Sequence, residues 1–158
     1  MIGALRRLRK MKLKTFDRYS HPEEDISCGT ISVALVTGET PSQVTARLNN
    51  LRKSKGWSAR KLRANHQWMY WDEAQALLKD FIRGARTVYP RRKIPLEKFY
   101  KKFRPKEAYL VCTTEHLQIV KDGVIYDAFA CRMGKQVEWH QESHKQVYCY
   151  IRLTGGKK

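Results

Sequence analysis

The sequence predicts an α+β domain, with helices in its first half and an antiparallel sheet in its second. Between residues 28 and 82, apolar runs are bounded by cap residues and glycine stops, as helices are. From Ala108 onward, short runs rich in β-branched and aromatic residues alternate with turn residues, among them the hairpin dipeptide Asp122-Gly123. Helices followed by such strands make an α+β arrangement. A chain of 158 residues, 42% of them hydrophobic, suits one domain with a proper core.

The start, MIGALRRLRKMKLK, lacks the apolar stretch of a signal peptide. Residues 1 to 18 read as a basic arm, either an amphipathic helix or an unstructured extension. Residues 28 to 36, Cys-Gly-Thr-Ile-Ser-Val-Ala-Leu-Val, are apolar enough to be buried on most sides. Periodicity alone does not separate helix from strand here, but Asp25 and Ser27 ahead of the run and Gly38 behind it favour a helix. Thr40-Pro41-Ser42-Gln43 is a capping box with proline at the first helical position, so a second helix runs to about Lys55 and stops at Gly56. Residues 57 to 70 read as a loop carrying Trp57, His66, Trp68 and Tyr70. Asp72 caps a third helix, from Glu73 to about Ile82. Residues 84 to 107 form a proline-punctuated basic loop with a turn or two of helix. Strands follow at 108 to 113, 116 to 120, 124 to 130, 136 to 140 and 146 to 153. The domain is expected to span 19 to 154, with a basic tail at 155 to 158.

Two segments carry chemistry. Asp25-Ile-Ser-Cys28-Gly-Thr puts a thiol at a helix N-terminus, where unpaired N–H groups stabilise the thiolate and lower its pKa from ~8.5. By itself Cys28 reads as a small buried hydrophobe, as most free cysteines are; the second segment shifts that weighting. The second segment, His116-Leu-Gln-Ile-Val-Lys-Asp-Gly-Val-Ile-Tyr-Asp127, reads as a hairpin. A two-residue loop at Asp122-Gly123 sets Gln118 opposite Asp127, making His116 and Asp127 diagonal neighbours on one face. A three-residue loop slips the register and sends the two side chains to opposite faces. His116 and Asp127 then become polar ends of strands at the solvent edge. A thiolate with an imidazole and a carboxylate beside it is the constellation of an activated cysteine nucleophile.

These segments, together with Val36-Thr-Gly38-Glu-Thr-Pro-Ser-Gln-Val44, resemble small phage-encoded proteins of papain-like cysteine-peptidase fold. The order is the same: cysteine early, histidine late, and an acid or amide after it. The resemblance implies a papain-like fold with the nucleophile helix first, and thiol peptidase or related acyl-transfer chemistry. Cys28 would be the nucleophile, His116 the base and then the acid, and Asp127 the group that orients the imidazole. It allows a second outcome, a non-catalytic virion structural or assembly protein on the same scaffold. Either would work in the host cytoplasm or the phage virion. The likeness departs at one point. Papain-like peptidases place a glutamine shortly before the cysteine as an oxyanion donor; this chain has Pro22 there, flanked by His21 and Glu23.

The formal charge is +17, from 32 Lys and Arg against 15 Asp and Glu. A domain this basic implies an anionic partner, either nucleic acid bound without regard to sequence or an acidic protein neighbour in the virion. One basic cluster holds Arg6, Arg7, Arg9 and Lys10; a second, at 83 to 106, holds Arg91, Arg92, Lys93, Lys101 and Lys102, interleaved with Tyr89, Phe99, Tyr100 and Phe103. No apolar run is long enough to span a membrane. Cys28, Cys112, Cys131 and Cys149 show no C-x-x-C spacing, which suits buried thiols in a reducing compartment. His140 and His144 would share a helix face as metal ligands, but no paired cysteines accompany them and their surroundings read as strand and turn. Neither a metal nor a cofactor is expected.

Overall fold

The computed structural model describes residues 12–15, 27–64, 68–102, 107–114, 116–128, 134–137 and 140–153. Arg6, Arg7, Arg9, Lys10, the segment 21 to 26 and the tail at 155 to 158 lie outside the described residues. The chain is α+β. Helices α1 (Cys28–Thr37), α2 (Pro41–Ser54), α3 (Ala59–Ala64) and α4 (Trp71–Leu78) come first. Then follow β1 (Thr87–Val88), α5 (Leu96–Lys102), β2 (Ala108–Thr113), β3 (His116–Lys121), β4 (Val124–Tyr126), β5 (Lys135–Gln136) and β6 (Cys149–Arg152). The strands form one sheet in the order β1-β6-β2-β3-β4-β5, every neighbouring pair antiparallel.

Helix α1 owes its position to its composition. Ser27 caps it, its Oγ accepting from the Thr30 N–H at 3.1 Å, and Gly38 closes it in the left-handed region at φ 77°. Gly29 through Leu35 are all buried, so no polar stripe faces water. Residues 12 to 15, expected within a free arm, instead lie against the end of α1. Lys14 donates its backbone N–H to Leu35 O at 3.1 Å and its ammonium to Gly38 O at 3.0 Å, setting a cation at the negative end of the helix. Helix α2 starts on the expected capping box. Thr40 Oγ1 accepts from the Gln43 N–H at 3.2 Å, and Gln43 Oε1 accepts from the Thr40 N–H at 2.8 Å.

Several boundaries differ from the sequence reading. The expected loop at 57 to 70 contains the single-turn helix α3. The third helix starts earlier than Asp72 and stops at Leu78, because Glu73 reaches back to accept the Tyr70 N–H at 2.9 Å and makes Tyr70 the cap position. The basic loop contributes an edge strand, β1, before its helical turns at α5. The strand expected at 136 to 140 shrinks to Lys135–Gln136, and His140 sits in a turn.

The sheet is covered on both faces, and side-chain alternation sorts its residues between two cores. Ala108, Leu110, Leu117, Ile119 and Ile151 pack with α1, α2 and α4 residues such as Ile31, Leu35, Leu48 and Leu78. Tyr109, Val111, Val120, Ile125 and Tyr150 pack with Leu96 and Phe99 of α5. His116 and Gln118 alternate with Leu117 and Ile119, so β3 presents them on the α5 side of the sheet, beyond the apolar part of that core.

The β3–β4 turn decides the site. Lys121 pairs with Val124, Val120 with Ile125 and Ile119 with Tyr126, so the loop is the two residues Asp122 and Gly123. Both have positive φ, 50° and 76°, as a type I′ turn requires. Extending the register by one pair sets Asp127 opposite Gln118, diagonal to His116. A Cβ on Gly123 would also fall 2.6 Å from the Tyr100 hydroxyl. Gly123→Ala should therefore lower stability by about 1–2 kcal/mol, the cost of left-handed backbone for a residue with a Cβ. Urea denaturation measures it, and an unchanged midpoint would contradict this turn.

Candidate active site

Cys28 is the first residue of α1, and its thiol meets the start of β3 for a reason visible in the ladder. In a two-residue hairpin the residues flanking the loop exchange both hydrogen bonds, and such pairs alternate along the strands. With Lys121 opposite Val124, the N–H groups of Lys121, Ile119 and Leu117 point towards β4. Strand β4 ends at Tyr126, which faces Ile119, so the Leu117 N–H has no strand beside it. It donates to the Cys28 sulfur instead, as does the Gly29 N–H in the first helical turn.

The three residues expected to act together are brought together. His116 is hydrogen-bonded to the Cys28 side chain, and its Nε2 lies 2.8 Å from Asp127 Oδ2. With Nε2 engaged by the carboxylate, Nδ1 is the ring nitrogen left for the sulfur. Asp127 is fully buried and Cys28 is half-buried. The polar set is larger than the sequence reading had it. His140 Nε2 is also 2.8 Å from Asp127 Oδ2, and His140 Nδ1 accepts the Glu142 backbone N–H at 3.0 Å. Glu142 Oε2 accepts from the Thr113 hydroxyl at 3.0 Å, and Thr113 Oγ1 accepts from Gln118 Nε2 at 3.1 Å. Glu142 Oε1 pairs with Lys145 Nζ at 3.0 Å. One hydrogen-bonded row thus runs from Cys28 to Gln118. His140 was singled out in the sequence only through its spacing to His144, a metal-site reading set aside there; His140 is buried and His144 is exposed.

The charges follow from these contacts. Burial pushes the Cys28 thiol up, but the bond to His116, the Leu117 and Gly29 N–H groups and the imidazolium charge outweigh it, and the net shift is downward. Burial pulls His116 down, but the Asp127 and Cys28 partners outweigh that and raise it to about 9. Lowered thiol and raised imidazole together favour the thiolate–imidazolium form of the pair over the neutral form.

The segment 68 to 71 packs against the first turn of α1 through Met69. A Cβ on Gly29 would fall 2.6 Å from Met69 Cβ, so glycine after Cys28 is what lets this segment approach. The segment is pinned by a buried ion pair. Arg52 Nε lies 2.8 Å from Glu73 Oε1, Arg52 Nη2 donates to Trp68 O, and the guanidinium stacks 4.7 Å from the Trp57 ring centroid. Trp57 meets Tyr70 edge-on at 6.5 Å, and Trp68 and Tyr70 are 64% and 52% exposed, an aromatic rim that flanks Met69.

Of the basic residues singled out, Arg91, Arg92, Lys93 and Lys101 are exposed. Phe99, one of the aromatics among them, is a core residue and cannot stack on a base. No described helix is long and apolar enough to cross a membrane. No protein-family model, curated protein or solved structure matches the chain, so the functional reading rests on this geometry.

The pH dependence can be worked out in sign. The lowered thiol keeps Cys28 nucleophilic below the range of an ordinary cysteine, so iodoacetamide should alkylate it at pH 6 to 7 faster than Cys149, whose thiol the bond to Cys112 and burial push up, as peptide mass spectrometry reads. Raising the pH through about 9 removes the His116 proton but not the thiolate, so alkylation should not fall there, whereas any reaction needing His116 as acid should. His116→Ala should slow alkylation at neutral pH, because the burial that raises the thiol is then less opposed. Equal reactivity of Cys28 and Cys149 would contradict the ion pair.

Proposed function

We propose that the chain is a cysteine acyl-transfer enzyme of papain-like fold, with peptide or other acyl bonds as its substrates. The observation that carries the reading is the hydrogen-bonded row Cys28–His116–Asp127, with Nε2 on the carboxylate and Nδ1 left for sulfur. Cys28 Sγ attacks the carbonyl carbon and forms the C–S bond. His116 hands its proton to the leaving group as the bond from the acyl carbon to that group breaks, then takes one from the water that attacks the thioester; the C–S bond breaks and the thiolate–imidazolium pair is restored. Asp127 holds the ring in one orientation and stabilises its positive form. The first-turn N–H groups of Gly29 and Thr30 already donate to Cys28 Sγ and Ser27 Oγ, so negative charge on the substrate oxygen would meet the positive end of the α1 dipole. The aromatic rim of Trp57, Trp68 and Tyr70 gives a substrate chain an apolar surface to lie on.

An electrophilic acyl probe, such as a peptidyl acyloxymethyl ketone, should label the protein once, at Cys28. Cys28→Ala should abolish labelling, and Asp127→Ala should slow it by about 10²-fold or more, the scale of lost general acid–base assistance. Labelling that ignores Cys28, or an Asp127→Ala variant as fast as the parent, sinks the proposal.

A second reading keeps the scaffold without catalysis, as a virion assembly protein that meets nucleic acid or an acidic neighbour. Its support is the run Arg91-Arg92-Lys93, exposed without interruption, with Arg83, Arg86, Lys98 and Lys101 exposed nearby in sequence. Filter binding should then show sequence-tolerant affinity that falls steeply with salt, since each neutralised phosphate releases about 0.9 counterion from duplex DNA. Replacing the three residues with alanine should flatten that slope, while Cys28→Ala leaves it alone. Failure to bind DNA or RNA at low salt removes nucleic acid as the partner.

A further inference from the structure

Asp127 Oδ2 receives two imidazoles, and only one of them belongs to the reading above. His140 is 4% exposed and lies in the turn after β5, far in sequence from both Cys28 and His116. Its Nε2 is as close to Asp127 Oδ2 as that of His116, 2.8 Å in each case. The Glu142 N–H points at its Nδ1, so Nδ1 is an acceptor and the ring proton sits on Nε2, aimed at the carboxylate. The turn that supplies this N–H is fixed in its own right: Ser143 N–H donates to His140 O at 3.0 Å, and the Glu142 carboxylate is held by Thr113 and Lys145.

We propose that His140 is a positioning residue for the acyl-transfer reaction, acting through Asp127. The inference rests on that reading of the site. A carboxylate with no water around it stays ionised only if donors surround it, and each donor lowers its affinity for a proton. The His140 Nε2–H is such a donor. Without it Asp127 is the stronger base, and the proton shared with His116 Nε2 moves towards the carboxylate. His116 then loses its positive charge and Cys28 loses the cation that keeps it a thiolate. His140 also fixes the carboxylate in place, because an oxygen bonded to two rings from two chain segments cannot swing away from one without breaking with the other.

The test uses the full chain and iodoacetamide, which reads the Cys28 thiolate without needing a substrate. His140→Leu removes both ring contacts, His140→Asn can keep the Glu142 contact but is too short to reach Asp127, and His140→Gln places an amide donor near the old Nε2. Expected at pH 7 are an alkylation rate at Cys28 lowered about tenfold in His140→Leu and His140→Asn, the scale of one charge-assisted hydrogen bond, and a rate within about threefold of the parent in His140→Gln. In an Asp127→Ala background, His140→Asn should make no further difference, since its effect passes through the missing carboxylate. Should His140→Leu fail to fold, the Asn and Gln pair still decides. A parent-like rate in His140→Asn, an equal loss in His140→Gln, or additive losses in the double variant overturns the proposal while leaving Cys28 reactive and the acyl-transfer reading intact. A parent protein whose Cys28 is itself unreactive at pH 7 overturns both.

Discussion

A carboxylate enclosed by protein is costly unless N–H donors replace the water it has lost, and Asp127 is such a group. It is fully buried at the end of β4, and imidazoles from two distant parts of the chain converge on one of its oxygens. Much of the site depends on it. It sets which nitrogen of His116 faces the thiol, and it helps make that imidazole a cation. The cation in turn works against the burial that would otherwise keep Cys28 protonated. The thiol's position at the start of α1 adds its own share, with the Gly29 N–H donating to the sulfur.

The backbone supplies the geometry by stopping short. Had β4 run on past Tyr126, its next residues would have taken the Leu117 N–H, and Cys28 could not have used it. Instead the strand ends, Asp127 is buried, and helix α1 fills the space beside β3. Gly29 lets the 68 to 71 segment close over the same helix turn, and the buried Arg52–Glu73 pair holds that segment down. Removing one partner of such a pair leaves a buried charge without its counterion, which costs about 3–5 kcal/mol. The site is therefore embedded in the packing of α1, α2 and α4 against the sheet.

The parts that were legible in the sequence are those set by local rules. Ser27 and Gly38 bracket α1, Thr40 and Gln43 open α2, and Asp122-Gly123 fixes a two-residue turn, hence the register that sets His116 diagonal to Asp127. What local rules do not contain was missed. Strand β1 has two residues, too few for a periodic pattern, and exists because β6 offers it an edge. The cap of α4 moved to Tyr70 because Glu73, tied to Arg52, also reaches that N–H. His140 sits in a segment that reads as strand, and its neighbour at Asp127 is thirteen residues away across a turn. Spacing along one helix was the only signal it offered, and that signal pointed to a metal rather than to a carboxylate.

The account stands or falls on the charge and tautomer of two imidazoles. Nitrogen-15 NMR of the histidine-labelled protein at pH 7, with resonances assigned by single substitutions, reads both directly. The account predicts His116 protonated on both ring nitrogens, losing one proton only near pH 9, and His140 carrying its proton on Nε2 with Nδ1 bare. A His116 that is neutral at pH 7, or a His140 protonated on Nδ1 alone, would contradict it.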